Sequence, residues 1–184
     1  MSGYFIAKII LLVIILGLSV YYDVKEQKIK NIVTMPGALL GLILNGTENG
    51  WNGLCFSFWG WVVPTLVLMI LYYIHVMGAG DIKLYAAIGA IMGLEFAAWS
   101  FVFSVFAAGP AALFLLVKRG LFKEKMGRVF DYFKYLIMFR DIQPYSAKDD
   151  KSSKFIFSTA IAAGTLIQLG ITILRIKGVT VFGG

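Results

Sequence analysis

The run "LYAAIGAIMGLEFAAWSFVFSVFAAGPAALFLLV", Leu84 to Val117, carries one charged residue, Glu95. It is too long for one ordinary membrane-crossing helix, which needs about 20 apolar residues. A break near Gly93-Leu94-Glu95 divides it into two helices, and that break decides the architecture. Hydrophobic residues make up 59% of the 184-residue chain, and mean hydropathy is +0.82. Soluble domains sit nearer 45–50% apolar. The chain therefore reads as a polytopic membrane protein. It is expected to be all-α, because backbone polar groups in lipid must be satisfied within each segment.

Working outward from the break gives about six transmembrane helices. They run from about Tyr4 to Tyr22, Ile32 to Leu44, Leu54 to Val76, Asp81 to Gly93, Phe96 to Val117 and Phe155 to Leu174. The first is retained rather than cleaved, since "SVYYD" offers no small-x-small signal-peptidase site. Loop charge supports the count. "DVKEQKIKN" (Asp23 to Asn31) has three lysines, "NGTENGWNG" (Asn45 to Gly53) has no basic residue, "GAGDIK" has Lys83, and Lys118 to Lys154 has ten Lys/Arg. Basic loops alternate with non-basic ones, as the positive-inside bias requires. The loops holding Asp23, Asp81 and 118–154 are then cytoplasmic, with both termini outside. Arg175 and Lys177 run mildly against this. A single span over 84–117 would put the most basic loop outside.

One domain, 1–184, suffices for this length. Within the loop at about 118–154, "RVFDYFKYLIMFR" (Arg128 to Arg140) mixes aromatics with Lys/Arg and reads as an amphipathic helix on the inner leaflet. The net charge of +7 comes mostly from loops, so no nucleic-acid partner is expected. The lone Cys55 and lone His75 leave no cysteine- or histidine-based metal site. His75 itself, at the end of the third span, reads as an interface residue. The aromatics of "FSFWGWVVP" read as packing or interface anchors.

The chemistry rests on acids. Asp23 ends the first span and Asp81 begins the fourth, so both lie at one interface. A carboxylate beside a bilayer is costly and marks a site by default. Asp81 could instead be a helix N-cap. Asp23 closes a helix, where the dipole disfavours an anion, although it could be a solvated acid pairing with Lys25 or Lys28. Gly78 and Gly80 permit unusual backbone or a close approach before Asp81. A backbone loosened there would let an extended peptide lie beside the carboxylate. Two close carboxylates share a proton, one serving as base and the other as acid.

"GAGDIKL" resembles the GxGD motif of the type IV prepilin peptidases, a family of membrane aspartic peptidases. In that family the first aspartate is followed by a basic stretch ending Ile-Pro-Asn, then a proline. "YDVKEQKIKNIVTMPGALLGL" is similar: Asp23, Ile29, Asn31 and Pro36 match, with Lys30 where proline is usual. "SKFIFSTAIAAGTL" resembles the last-span pattern, again without its proline. The resemblance implies cleavage of the basic leader of prepilins or pseudopilins at the cytoplasmic membrane face of a prokaryote. Asp23 and Asp81 would be the dyad, and no cofactor or metal is needed. Gly78, Gly80, Lys83 and Asn31 would shape the site. Larger members also carry paired CxxC motifs and methylate the new terminus. A compact form without that region, like the peptidases of Flp-type (tight-adherence) pili, is expected to be a peptidase alone. The alternatives are a small membrane transporter using the two acids, or a non-catalytic pilus assembly factor.

Overall fold

A computed structural model describes residues 2–74, 77–118 and 157–178, with side chains of 94–118 described only to Pro110. His75 and the amphipathic segment Arg128 to Arg140 lie outside the described residues. The described residues are helical, with no strand: α1 (Gly3–Glu26), α2 (Asn31–Tyr73), α3 (Ala79–Met92), α4 (Leu94–Lys118) and α5 (Phe157–Ile176). The chain divides into two compact units, Met1–Ala107 with Ile156–Gly184, and Ala108–Phe155. Both acidic motifs lie in the first; of the second, only the helical end of α4 is described.

Three helices are long and apolar enough to cross a membrane: α1, α2 and α5. α3 has 14 residues, and the apolar stretch of α4 (Leu94–Pro110) is also shorter. The expected break between α3 and α4 falls at Gly93, whose φ of +91° needs glycine. A side chain there would also meet the ring of Phe56.

α2 differs from the expectation of two spans separated by a nine-residue loop. Helix runs through most of "NGTENGWNG", and only Asn49 (φ −129°, ψ 16°) and Gly50 (φ 57°, ψ −134°) leave helical geometry. The two arms, 31–48 and 51–73, double back. Asn45 from the first and Ser57 from the second both donate to the carbonyl of Ala90. A Cβ on Gly53 would collide with the Asn45 carbonyl, so the glycines here serve close packing of the arms.

α3 sits at the centre. Ile82 and every residue from Leu84 to Ile91 are buried, as expected of a helix enclosed on all sides. Small residues permit that enclosure. Backbone meets backbone at Gly60 and Gly89, and Gly41 lies against Ala90; small residues let helices approach closely in membranes. Buried polar groups finish the helix. Asn45 Nδ2 lies 3.1 Å from both the Ala90 and Ile91 carbonyls, in the last turn of α3, and 3.0 Å from its own Gly41 carbonyl. The carbonyls of a helix's last turn have no partner within the helix, and here Asn45 and Ser57 supply them.

α4 runs back along α3, bringing Phe101 edge-on to Tyr85 at 5.5 Å. α5 runs antiparallel to α4: Thr165 bonds Ser100 at 2.6 Å, while Ser104 reaches the Ile161 carbonyl. The bundle's outer faces are apolar, with Ile10, Ile14, Leu39, Ile43, Leu66 and Ile70 exposed. A surface of this kind suits lipid rather than water, and the chain is an integral membrane protein.

Candidate active site

α1 ends where α2 and α3 begin, and this end of the bundle collects the two acidic motifs. Asp23 lies in the last turn of α1. Its carbonyl accepts from the N–H of Gln27 at 2.9 Å, closing the helix with Gln27 in the left-handed region (φ 53°). Asp81 is not the N-cap of α3; Gly78 is, and Asp81 stands in the first helical turn. Its N–H lies 3.2 Å from the Gly78 carbonyl, and its carboxylate reaches back to accept from the Gly78 N–H. This is half of a capping box, with the acid favoured by the positive end of the helix.

The two glycines act through space rather than through unusual backbone. Gly78 is extended (φ −76°, ψ 147°), and Gly80 is already helical within α3. The expectation of a loosened backbone before Asp81 is thus replaced by a regular helix start. A Cβ on Gly78 would stand 3.1 Å from Asp81 Oδ2, and one on Gly80 would stand 3.0 Å from the Cβ of Ile29. Gly80 therefore lets the α1–α2 connection lie directly on α3. A second contact fixes the same junction, where Lys83 Nζ donates to Asn31 Oδ1 at 2.8 Å. The two segments singled out in the sequence, Asp23 to Asn31 and Gly78 to Lys83, are joined by these contacts.

The electrostatics follow from that junction. Asp81 lies outside the three long apolar helices, at the rim of the bundle. Its carboxyl is pushed up to about 6, first by burial and second by the charge of Asp23, against the opposing pull of the Gly78 N–H. The charge of Asp23 is felt at Asp81, and α1 packs on α3. The two ion pairs among the described residues, Lys8–Glu48 and Lys30–Glu26, do not involve Asp23. Lys25 turns instead to the Tyr21 hydroxyl at 3.4 Å, and Lys30 pairs with Glu26 at 2.7 Å and lies over the Tyr22 ring.

Four other polar residues were not singled out in the sequence: Asn45, Ser57, Ser19 and Tyr85. The first two finish α3. The last two stand four residues from Asp23 and Asp81, a helical spacing from each acid that could have flagged them. No group of three or more His, Cys, Asp or Glu side chains gathers among the described residues.

The described residues thus form an all-helical membrane bundle with both acidic motifs at one end. The family model of the type IV leader peptidase family matches residues 10–115, more than half of the chain. The protein belongs to that family. It is also similar to a prepilin leader peptidase/N-methyltransferase of Vibrio cholerae serotype O1 (strain ATCC 39315 / El Tor Inaba N16961). The two are 32% identical over 92 residues, covering 45% of this chain and 35% of the relative. The match thus spans about a third of that relative's length. No solved structure matches the chain.

Proposed function

We propose that this protein is a membrane aspartic endopeptidase that removes the short basic leader of prepilins or pseudopilins, with Asp23 and Asp81 as the dyad. The observation that carries the reading is the junction at the rim. Ile29 against Gly80 and Asn31 against Lys83 hold the two acidic segments together, and Asp81 is driven toward its protonated form beside Asp23.

The roles follow from the raised carboxyl of Asp81. Asp81, with its proton held up to about pH 6, is the acid, which leaves Asp23 as the base. Asp23 takes a proton from water as the water oxygen bonds to the scissile carbonyl carbon. Asp81 donates to the carbonyl oxygen. The proton on Asp23 then passes to the leaving amine nitrogen, and the C–N bond breaks as a hydroxyl of the tetrahedral intermediate returns its proton to Asp81, restoring the singly protonated pair. That one proton is required at the start of each cycle, so activity is expected to fall as pH rises through about 6 and Asp81 ionises.

The chain acts as one peptidase domain in the cytoplasmic membrane of a prokaryote. It makes about six helical passes: α1, the two arms of α2, the short α3, α4 and α5. Asp23 and Asp81 face the cytoplasm, where a basic leader would be presented. The Lys8–Glu48 ion pair supports this arrangement by joining the start of α1 to the bend in α2, away from the aspartates.

The test is co-expression with prepilins from the same genome, read as loss of the leader by mass spectrometry. The native chain is expected to trim a prepilin, whereas Asp23→Asn and Asp81→Asn, still inserted in the membrane, do not. Trimming by both variants would exclude the dyad.

A further inference from the structure

Buried hydroxyls in this bundle fall into two groups. Ser57, Ser100, Ser104 and Thr165 all hydrogen-bond to backbone carbonyls or to one another. Ser19, Thr34, Tyr85 and Ser158 have no partner, although each is at most 2% exposed.

The second group lies toward the end of the helices that carries Asp23 and Asp81. Ser19 is one helical turn before Asp23 on α1, and Tyr85 is one turn after Asp81 on α3. Residues four apart share a helix face, so each hydroxyl sits beneath its own carboxylate. Thr34 is in the first turn of α2 and Ser158 in the first turn of α5, which begins at this same end because α5 opposes α4 and α4 opposes α3. Ser104 lies beside the Tyr85 phenol and donates its one proton to backbone carbonyls, at 2.7 Å to Ser100; it keeps lone pairs that could accept, but no hydrogen bond of acceptable geometry joins the two hydroxyls.

Buried polar groups left unpaired by protein are the usual hosts of internal water, which makes about three hydrogen bonds to them. Resting on the dyad proposed above, we infer that Ser19 and Tyr85 form an internal water site beneath Asp23 and Asp81 and act as positioning residues for the two carboxylates. Water held there bridges each hydroxyl to the carboxylate one turn above it. That fixes the carboxyl orientations and keeps water at the inner side of the dyad, where the surrounding helices are apolar. Thr34 and Ser158 extend the same polar floor from α2 and α5.

The first experiment is X-ray radiolytic labelling of the full chain in a non-ionic detergent, read by mass spectrometry. Radicals formed from bound water oxidise the side chain beside it. Tyr85 is expected to oxidise several-fold faster than Phe96, a buried aromatic with no hydroxyl, and Ser19→Ala is expected to reduce that rate. This readout does not depend on peptidase activity, so it decides the water site even if no prepilin is cleaved. Labelling of Tyr85 no faster than Phe96 overturns the site. The second experiment measures leader cleavage by Tyr85→Phe and Ser19→Ala. Each is expected to lower kcat about tenfold with KM unchanged, while Ser19→Thr, which retains the hydroxyl, recovers kcat. Unchanged kcat in both variants, with Tyr85 still rapidly labelled, overturns the positioning role. If Ser19→Ala fails to fold, Tyr85→Phe decides alone, since it removes a single oxygen.

Discussion

Replacing Asp81 by Asn should make the folded protein more stable at pH 8, by an amount that disappears in acid. Asp81 carries its proton up to about pH 6 instead of the ordinary 3.8. At about 1.4 kcal/mol per pH unit, holding this carboxylate ionised costs ~3 kcal/mol. Asp81 retains some contact with solvent, and screening reduces the figure to about 1–2 kcal/mol. Asparagine keeps an oxygen to accept the Gly78 N–H but has no charge to desolvate and none to repel Asp23. The sign is set by linkage. The folded state binds this proton more tightly than the unfolded chain, so native stability rises as pH falls through about 6 and the gain is complete near 3.8. The Asn variant lacks that rise. Its advantage is therefore full at pH 8, narrows through pH 6 and is gone near pH 4. Thermal unfolding in a non-ionic detergent, followed by the fluorescence of the four tryptophans, measures it. An advantage of 1–2 kcal/mol corresponds to a rise of about 2–8 °C for a chain of this size. The same scan in an Asp23→Asn background should show a smaller gap, because the second cause of the displacement is gone. A gap that does not change with pH, or an Asn variant less stable at pH 8, would refute the electrostatic account.

Other substitutions probe the scaffold. Asn45→Leu removes the side-chain donor to the Ile91 carbonyl and one of the two to Ala90, which keeps Ser57; the unpaired carbonyl should cost about 1–3 kcal/mol, read by the same thermal unfolding. Gly89→Ala should prevent accumulation of folded protein, because its Cβ meets the Gly60 backbone, whereas Gly17→Ala, with open space at the Cβ, should be neutral. Lys83→Ala and Asn31→Ala should each lower leader cleavage while costing less than about 1 kcal/mol of stability, since their bond is exposed. The double variant should be no worse than either single one, because both remove the same contact.

The helical class and the break at Gly93 were legible because long apolar runs and a glycine leave few options. The extent of α2 was not. Asn and Gly in "NGTENGWNG" are turn formers by type, yet only Asn49 and Gly50 leave the helix. Gly53 is there because the Asn45 backbone passes where a side chain would be, a tertiary reason with no local signature. The acids and their flanking residues were readable as motifs, and their spacing put Asp23 and Asp81 at the same end of the bundle. The motif did not say why Gly80 must be glycine; the answer is Ile29, more than fifty positions earlier in the sequence. Ser19 and Tyr85 stand one helical turn from an acid each, but that spacing marks them only once the acids are taken as a site; that their hydroxyls are buried without a partner is a tertiary fact.

The distribution of polar bonds gives α3 two unlike ends. At its C-terminal end, Asn45 and Ser57 hold its last carbonyls, Gly60 and Gly41 press on its backbone, and Gly93 turns the chain. At its N-terminal end the cap is a glycine without a side chain, the interhelical hydrogen bond from this turn is the exposed Lys83–Asn31 contact, and the nearest buried hydroxyls have no protein partner. Hydrogen bonds lost at the buried end have no water to replace them, so that end is the anchor. The rim that carries Asp81 is held by fewer and wetter contacts, and local opening starts where such contacts are sparse. Under the proposed function, a substrate strand beside Asp81 meets the end of α3 that can shift while the other stays fixed. Amide exchange at Gly80 to Lys83 faster than at Ile88 to Ile91 would be the signature of that polarity.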